Sequence, residues 1–261
     1  MRADFDHIAD QYDSDFTRTV IGRAQRDLVY ATLEKEFSAI QGWNVLELNC
    51  GTGEDAKYFA DKGATVLATD ISSLMIGVAH EKTKLFPNVK CQVLDIKNIE
   101  GQLPENTYDL VFSNFGGLNC LSKDDFQSFL NSVFLKLKKG GHLVMVIMPN
   151  KCLWESIYFL VKLKWNKAFR RGQKEGVWAN VEGRDIKTYY YAPQQVIDMV
   201  KGFKIRQVSP IGFYVPPSYL NPMFQNKQKL VKWMLDSDLK SQGSLKKSTL
   251  SDHFLIHLSK P

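Results

Sequence analysis

Through the first 150 residues, short apolar runs alternate with stretches whose apolar positions recur at helical spacing. Val45 to Leu48, Thr65 to Asp70, Val89 to Asp95, Tyr108 to Phe115 and His142 to Met148 read as strands. Between them, Glu54 to Lys62, Ser73 to Leu85 and Asp124 to Lys138 read as helices, each ending near Gly63, Pro87 or Gly140. Ser122 is placed to cap the third of these, with Asp124 and Asp125 at the positive end of its dipole. Strict alternation of strand and helix predicts a doubly wound, mostly parallel sheet, because parallel neighbours need crossovers and helices then cover both faces. The expected site lies at the carboxyl ends of the strands.

After Pro149 the rhythm changes. Residues 150–192 read as an insertion, followed by a helix from Pro193 to Val200 and a strand from Phe203 to Val208. A second irregular stretch, 212–250, holds VPPSYLNP and a helical Gln228 to Leu235, and the final SDHFLIHLSK reads as a strand able to pair at the end of the sheet. Trp154, Ile157, Tyr158, Val161 and Trp165 form one apolar helical stripe, with Leu153, Phe159, Leu160 and Leu163 carrying the apolar surface almost all the way round. Such a helix wants more burial than one face gives: a lid over a lipophilic substrate, a membrane-surface helix, a dimer contact, or packing within the domain.

Composition narrows this picture only a little. The 261 residues are 44% apolar, and the chain has neither a run long enough to span a bilayer nor an apolar core of the signal-peptide kind at its N-terminus, so the expected location is the cytoplasm. Cys50, Cys91, Cys120 and Cys152 form no CxxC pair, which argues against a zinc site or a disulfide framework and reads them as buried thiols. The net charge is +6, and Lys151 to Lys174 holds seven basic residues against the single acid Glu155. That segment is either a solvated basic face or a contact for nucleic acid or a membrane surface.

The chemistry concentrates in VLELNCGTGED, residues 45 to 55, and in ATVLATDIS just beyond. Gly51 and Gly53 sit where a strand turns into a helix, letting backbone approach a ligand and pointing free N–H groups at it. GTGEDA also fits the dinucleotide pattern GxGxxA, with Asp70 placed for a ribose diol. A pyrophosphate, however, would lie against Glu54 and Asp55 beside Glu47, which is repulsive at short range. A ligand carrying a sulfonium, an ammonium and one carboxylate suits the same acids.

ELNCGTG, VLATDIS followed by Met75, and CQVLDI together resemble the motifs of the class I S-adenosylmethionine-dependent methyltransferases over residues 45–150. The resemblance implies a Rossmann-like domain with a seven-stranded sheet and S-adenosylmethionine as cofactor. It implies that Asp70, with Ile71 and Met75 beside it, meets the ribose side. Asp95 and Ile96 would meet the adenine, Gly51 and Gly53 the methionine moiety, and Glu47 would orient the loop or the ammonium. Asn49 departs from the pattern, standing where a glycine is usual, but asparagine tolerates left-handed backbone better than other side chains. FDHIADQYDSDF resembles the lead-in of small-molecule and quinone methyltransferases, which makes Tyr12 the candidate lid residue within an N-terminal helical lid, 1–40.

On the acceptor side, FSNFGGLNCL follows the fourth strand, and Asn114 and Phe115 are assigned to cofactor or substrate contact. The Asn/Asp-Pro-Pro-aromatic signature of base amino methyltransferases is missing, as are a Pro-Cys nucleophile and an acidic pair for Mg²⁺, so nucleic acid is an unlikely substrate. Trp154, Tyr158 and Tyr190 are the candidate substrate-binding residues; His142, His253 and His257 fall in strand patterns that nominate no base. The expectation is a single domain, 1–261, with a cofactor core at 45–149 and substrate-cover insertions at 150–192 and 212–250. It would methylate a small, hydrophobic or aromatic metabolite, as monomer or homodimer, with peripheral membrane contact left open. An RNA methyltransferase and a non-catalytic cofactor-binding module are the alternatives.

Overall fold

The computed structural model describes residues 13–173, 175–181 and 184–261. In chain order the elements are α1 (Val20–Glu36), β1 (Asn44–Leu48), α2 (Glu54–Asp61), β2 (Thr65–Asp70), α3 (Ser73–Thr83), β3 (Val89–Val93), α4 (Ile99–Gln102), β4 (Tyr108–Ser113), α5 (Lys123–Lys136) and β5 (Leu137–Ile147). Then follow α6 (Leu153–Val161), α7 (Trp165–Ala168), β6 (Val177–Val181), β7 (Arg184–Thr188), α8 (Pro193–Met199), β8 (Lys204–Ile211), α9 (Asn221–Phe224), α10 (Gln228–Leu239), α11 (Leu245–Ser248) and β9 (His253–Ser259).

The main sheet has seven strands in the order β3-β2-β1-β4-β5-β9-β8. β1 to β5 are parallel, and β9 runs antiparallel to both β5 and β8. Alternation along the strands shows the double winding directly. Leu143, Met145 and Ile147 of β5 join one core with Phe126 and Leu130 of α5, while Val144 and Val146 join the other with Leu28 of α1 and Phe59 of α2. Ser122 caps α5 as its sequence predicts, its hydroxyl accepting from Asp125 N–H at 3.2 Å.

The last strand departs from expectation. β9 is not at the end of the sheet; it lies between β5 and β8. All seven of its residues are buried, which accounts for a nearly unbroken apolar run, since an interior strand needs no polar face. Because β9 is antiparallel, its first residue, His253, stands at the carboxyl edge of the parallel strands beside Ile211. The insertion after β5 and the segment after β8 start from that same edge, and so both covers lie over the end where a site belongs.

Two details of the covers differ from the sequence reading. The apolar stretch after Pro149 is two short helices, not one: Leu163 takes φ 56° and ends the run. Leu163 N–H donates to Leu160 O and Lys164 N–H to Phe159 O, the bond pair that closes a helix at a left-handed residue. Further on, Val177–Val181 and Arg184–Thr188 pair as an antiparallel hairpin.

Candidate cofactor site and its cover

The strand order reverses between β1 and β4, so the loops after these two strands flank the crevice. After β1, Asn49, Gly51 and Gly53 all have positive φ, at 56°, 52° and 79°. Asn49 therefore takes the left-handed conformation of the glycine it replaces, and its Nδ2 donates to Ser113 Oγ at 3.2 Å on the facing strand. A side chain on Gly53 would come within 2.9 Å of Ala79 Cβ, and one on Gly117 within 2.5 Å of Asn49 Cβ. Both loops are thus packed backbone against neighbour.

Asp70 ends β2 as a fixed acceptor. Its Oδ2 takes the Gly51 N–H at 3.0 Å and its Oδ1 the Ser72 N–H at 2.9 Å. Asp95 caps a short turn, accepting from Lys97 N–H at 2.9 Å, with Ile96 half-buried behind it. Ile71 is exposed at the rim, whereas Met75 is wholly buried beneath it. Glu47 is buried, and its Oε2 has no hydrogen-bond partner among the described residues. Burial, then the neighbouring Asp55 carboxylate, push Glu47 well above the ordinary carboxylate range.

The acids after the loop are not bare. Asp55 is buried and bound by Arg26 of α1, by Tyr30 Oη at 2.7 Å and by Asn114 Nδ2 at 3.1 Å. Glu54 is met by Lys82 Nζ at 3.1 Å, and Lys82 also reaches Asp13 at 2.6 Å and Thr52 Oγ1 at 3.0 Å. Thr52 in turn donates to Asp13 at 2.6 Å, docking the N-terminal segment on the glycine loop. Burial alone would raise Asp13, but its bonds from Lys82 and Thr52 hold it below the ordinary carboxylate range. Tyr12, one residue earlier, lies outside the described residues. Repulsion of a pyrophosphate is therefore weaker than the sequence implies, yet Asp13, Glu54, Asp55 and Asp70 still outnumber Arg26 and Lys82.

Phe115 carries the acceptor side. It has φ 46°, meets Phe16 edge-on at 5.0 Å and His253 edge-on at 5.5 Å, and lies under the Arg26 guanidinium at 5.1 Å. Nδ1 of His253 is 3.2 Å from Asp252 Oδ2. Sequence spacing hid this pair, because adjacent residues at the head of an apolar strand read as core. The other two strand histidines, His142 and His257, sit 3.0 Å apart at the opposite end of β5 and β9.

Asp252 is also the junction of the covers. Arg171 donates through Nη2 to Asp252 Oδ1 and through Nη1 to Asp252 O, both at 2.8 Å, and through Nε to Glu155 Oε2 at 3.0 Å. Gln25 of α1 donates to Asp252 Oδ2 at 3.1 Å and to Pro216 O at 3.0 Å. Despite complete burial, His253 and Arg171 hold Asp252 well below the ordinary carboxylate range. Arg170 binds the other side of Glu155 at 2.7 Å. Two of the cations that make the 151–174 segment look basic are thus spent inside the fold. Of the predicted substrate residues, Tyr190 lies 5.4 Å from the Arg171 guanidinium. Trp154 donates its indole N–H to Phe213 O and Tyr214 O at 3.1 Å, and Tyr158 packs near Tyr219 at 5.9 Å.

A parallel sheet with an acid-rimmed glycine loop at its switch point, and an acid ending the next strand, is the arrangement that the resemblance to class I methyltransferases leads one to expect. Comparison with known proteins agrees. Residues 45–141 match the family model described as a methyltransferase domain. A demethylmenaquinone methyltransferase of Lactococcus lactis is 25% identical over 70% of this chain and 74% of its own length. A malonyl-[acyl-carrier protein] O-methyltransferase of Ilyobacter polytropus is 34% identical over 43% of this chain and 41% of its own. A solved structure from Listeria monocytogenes, assigned to the S-adenosylmethionine dependent methyltransferases, superposes with a TM-score of 0.63 at 20% identity, covering 89% of this chain and 96% of that one. These similarities support a class I S-adenosylmethionine-dependent methyltransferase, with residues 45–141 as its methyltransferase domain and S-adenosylmethionine as the cofactor.

The residues present fit that cofactor. A buried carboxylate oxygen without a partner among the described residues, Glu47 Oε2, and two facing loops whose glycines are crowded, Gly53 by Ala79 and Gly117 by Asn49, form a cradle with acceptor capacity to spare for a cation.

Proposed function

We propose that this protein methylates a lipophilic aromatic acceptor bearing an ionisable ring hydroxyl, a quinol related to the demethylmenaquinone in the name of its Lactococcus relative. The observation that carries the reading is the run of rings Phe16, Phe115 and His253 at the strand ends, closed behind by the buried Asp252–Arg171–Glu155 network. Asp70, flanked by Ile71, is assigned to the ribose hydroxyls, and Asp95 and Ile96 to the adenine. Glu47 and the Asn49–Gly53 loop are assigned to the methionine end, with Asn114 and Phe115 closing over it. Met75 is assigned to backing the ribose side, because its side chain is wholly buried. Trp154, Tyr158 and Tyr190 are assigned to the acceptor cover. When bound, the cofactor supplies a methyl group already activated on a sulfonium.

What the protein adds is position and dryness. Phe115 and Phe16, packed edge-on, give the acceptor an apolar aromatic corner. His253, whose Nδ1 lies 3.2 Å from Asp252 Oδ2 without a hydrogen bond between them, is assigned to taking the proton of the ring hydroxyl as the ring becomes nucleophilic at oxygen or carbon. The test is methyl transfer to a panel of quinols, malonyl thioesters and RNA, with product mass as readout. Transfer to quinols is expected, with His253→Gln losing about a hundredfold in kcat. Turnover of a thioester or an RNA alone would refute the acceptor class, and an undiminished kcat in His253→Gln would refute the base.

A further inference from the structure

The insertion after β5 leaves an apolar face uncovered. Leu153, Ile157 and Val161 follow one another by four residues on α6, so they share one face, and their exposure climbs to 78% at Val161. The face continues through the turn into α7: Leu163 is 76% exposed, Trp165 62% and Phe169 63%. The inward residues are already used, Trp154 and Tyr158 being packed against the third core with Phe224 and Val231. No charge interrupts the outer row, but Lys151, Lys162, Lys164 and Lys167 stand exposed around it. The one acid between positions 151 and 169, Glu155, is buried under Arg170 and Arg171. Surface of this kind on a folded chain marks a contact.

We infer that this face docks the protein on an anionic bilayer surface. The lysine collar decides the occupant. A second copy of the chain would bring the same uncompensated cations against it, which costs Coulomb energy, whereas acidic lipid headgroups attract them. Aliphatic Leu and Val beside Trp and Phe, ringed by Lys, is the composition that settles at the boundary of headgroups and acyl chains. RNA is the poorer fit, since the two arginines of the segment are bound internally and four of the six outer residues are aliphatic. Leu163 adds an independent sign: a leucine held at φ 56° and exposed is strained where glycine would be relaxed, and its side chain makes up for this only when something covers it. The docking face is independent of the acceptor reading above.

The test is co-sedimentation of the full chain with vesicles of phosphatidylcholine alone and with about one-third phosphatidylglycerol. Calorimetric S-adenosylmethionine affinity is followed on the same samples. Binding is expected to the anionic vesicles, weakening as salt rises. It should fall at least tenfold in Trp165→Ala/Phe169→Ala and in Lys162→Glu/Lys164→Glu, with cofactor affinity unchanged in both. Leu163→Gly should weaken vesicle binding while the fold is retained. No pelleting of the wild-type protein, or pelleting equal in the variants, would overturn the inference. So would sedimentation velocity showing a dimer that the aromatic variant dissociates in the absence of lipid, or RNA binding lost in the lysine variant where lipid binding never occurred.

Discussion

The two halves of this molecule hold themselves together differently. In the half from β1 to β5, backbone does most of the work: three positive-φ residues in the loop after β1, a carboxylate accepting two backbone N–H groups, and two alternating apolar faces. In the covers, buried ions do it. Arg171 joins Glu155 to Asp252, and Asp238 of α10 accepts the N–H groups of Phe213, Tyr214 and Val215 at 2.9 to 3.2 Å. The first half is built to present backbone to a ligand. The second is clamped over it by a few charges that must all remain paired.

The largest break in this comparison should come from Arg171→Met. It strands Asp252 as a buried carboxylate without its guanidinium and leaves Glu155 to Arg170 alone, and the expected loss is about 3–5 kcal/mol, or roughly 10 °C in Tm. Cofactor affinity should move less than about threefold, because none of the loop residues touches Arg171. Thermal melts and calorimetry on the same preparation check both. A stable variant, or one whose cofactor affinity collapses, would erase the distinction drawn between the halves.

Asp70→Ala is the reverse case. It removes the acceptor that fixes Gly51 and is assigned to the ribose, so Kd for S-adenosylmethionine should rise about a hundredfold. The sheet should survive, with most of the wild-type unfolding transition retained by circular dichroism. Unchanged affinity would remove the ribose assignment.

These two residues also mark how far the sequence can be read. Asp70 was legible because it ends a strand at a fixed distance from a glycine loop, so period and motif both point to it. Arg171 was not: its partners are 16 and 81 positions away, and in one dimension it looks like one more charge on a basic face. The same blindness to distant pairing put β9 at the sheet's edge and left His253 among core residues. Leu163 was hidden for a local reason. A helix normally stops at Gly or Asn, so an apolar run that ends on Leu reads as continuing.

Glu47 sharpens the comparison through pH. Its pKa in the free protein is raised, so below that value the folded, unliganded site holds a proton there. A bound cation favours the carboxylate, so binding expels the proton, and Kd should tighten by about tenfold per pH unit as pH rises. The tightening should level off once pH passes the free-protein pKa. Calorimetry in buffers of different ionisation enthalpy counts the protons released, and Glu47→Gln should release none. Asp252 shows no such linkage, because His253 and Arg171 hold it ionised.

The smallest effect is also the closest test of the backbone half. Asn49→Gly restores the residue that usually stands at this turn, relieving a left-handed conformation that costs a side-chain-bearing residue about 1 kcal/mol. It also removes the Asn49 Nδ2 to Ser113 Oγ bond between β1 and β4, worth about 1 kcal/mol, and adds conformational freedom to the unfolded chain. These terms offset, so stability should shift by less than about 1 kcal/mol and Kd by less than about threefold. Gly117 should become tolerant at the same time, since Asn49 is what a side chain there would strike. Gly117→Ala should therefore be damaging in the wild-type background and nearly silent in Asn49→Gly, a non-additivity that equilibrium denaturation of the four proteins can measure. If the two changes simply add, the contact between the loops is not what sets the crevice width, and the shape of this half rests on the strands alone.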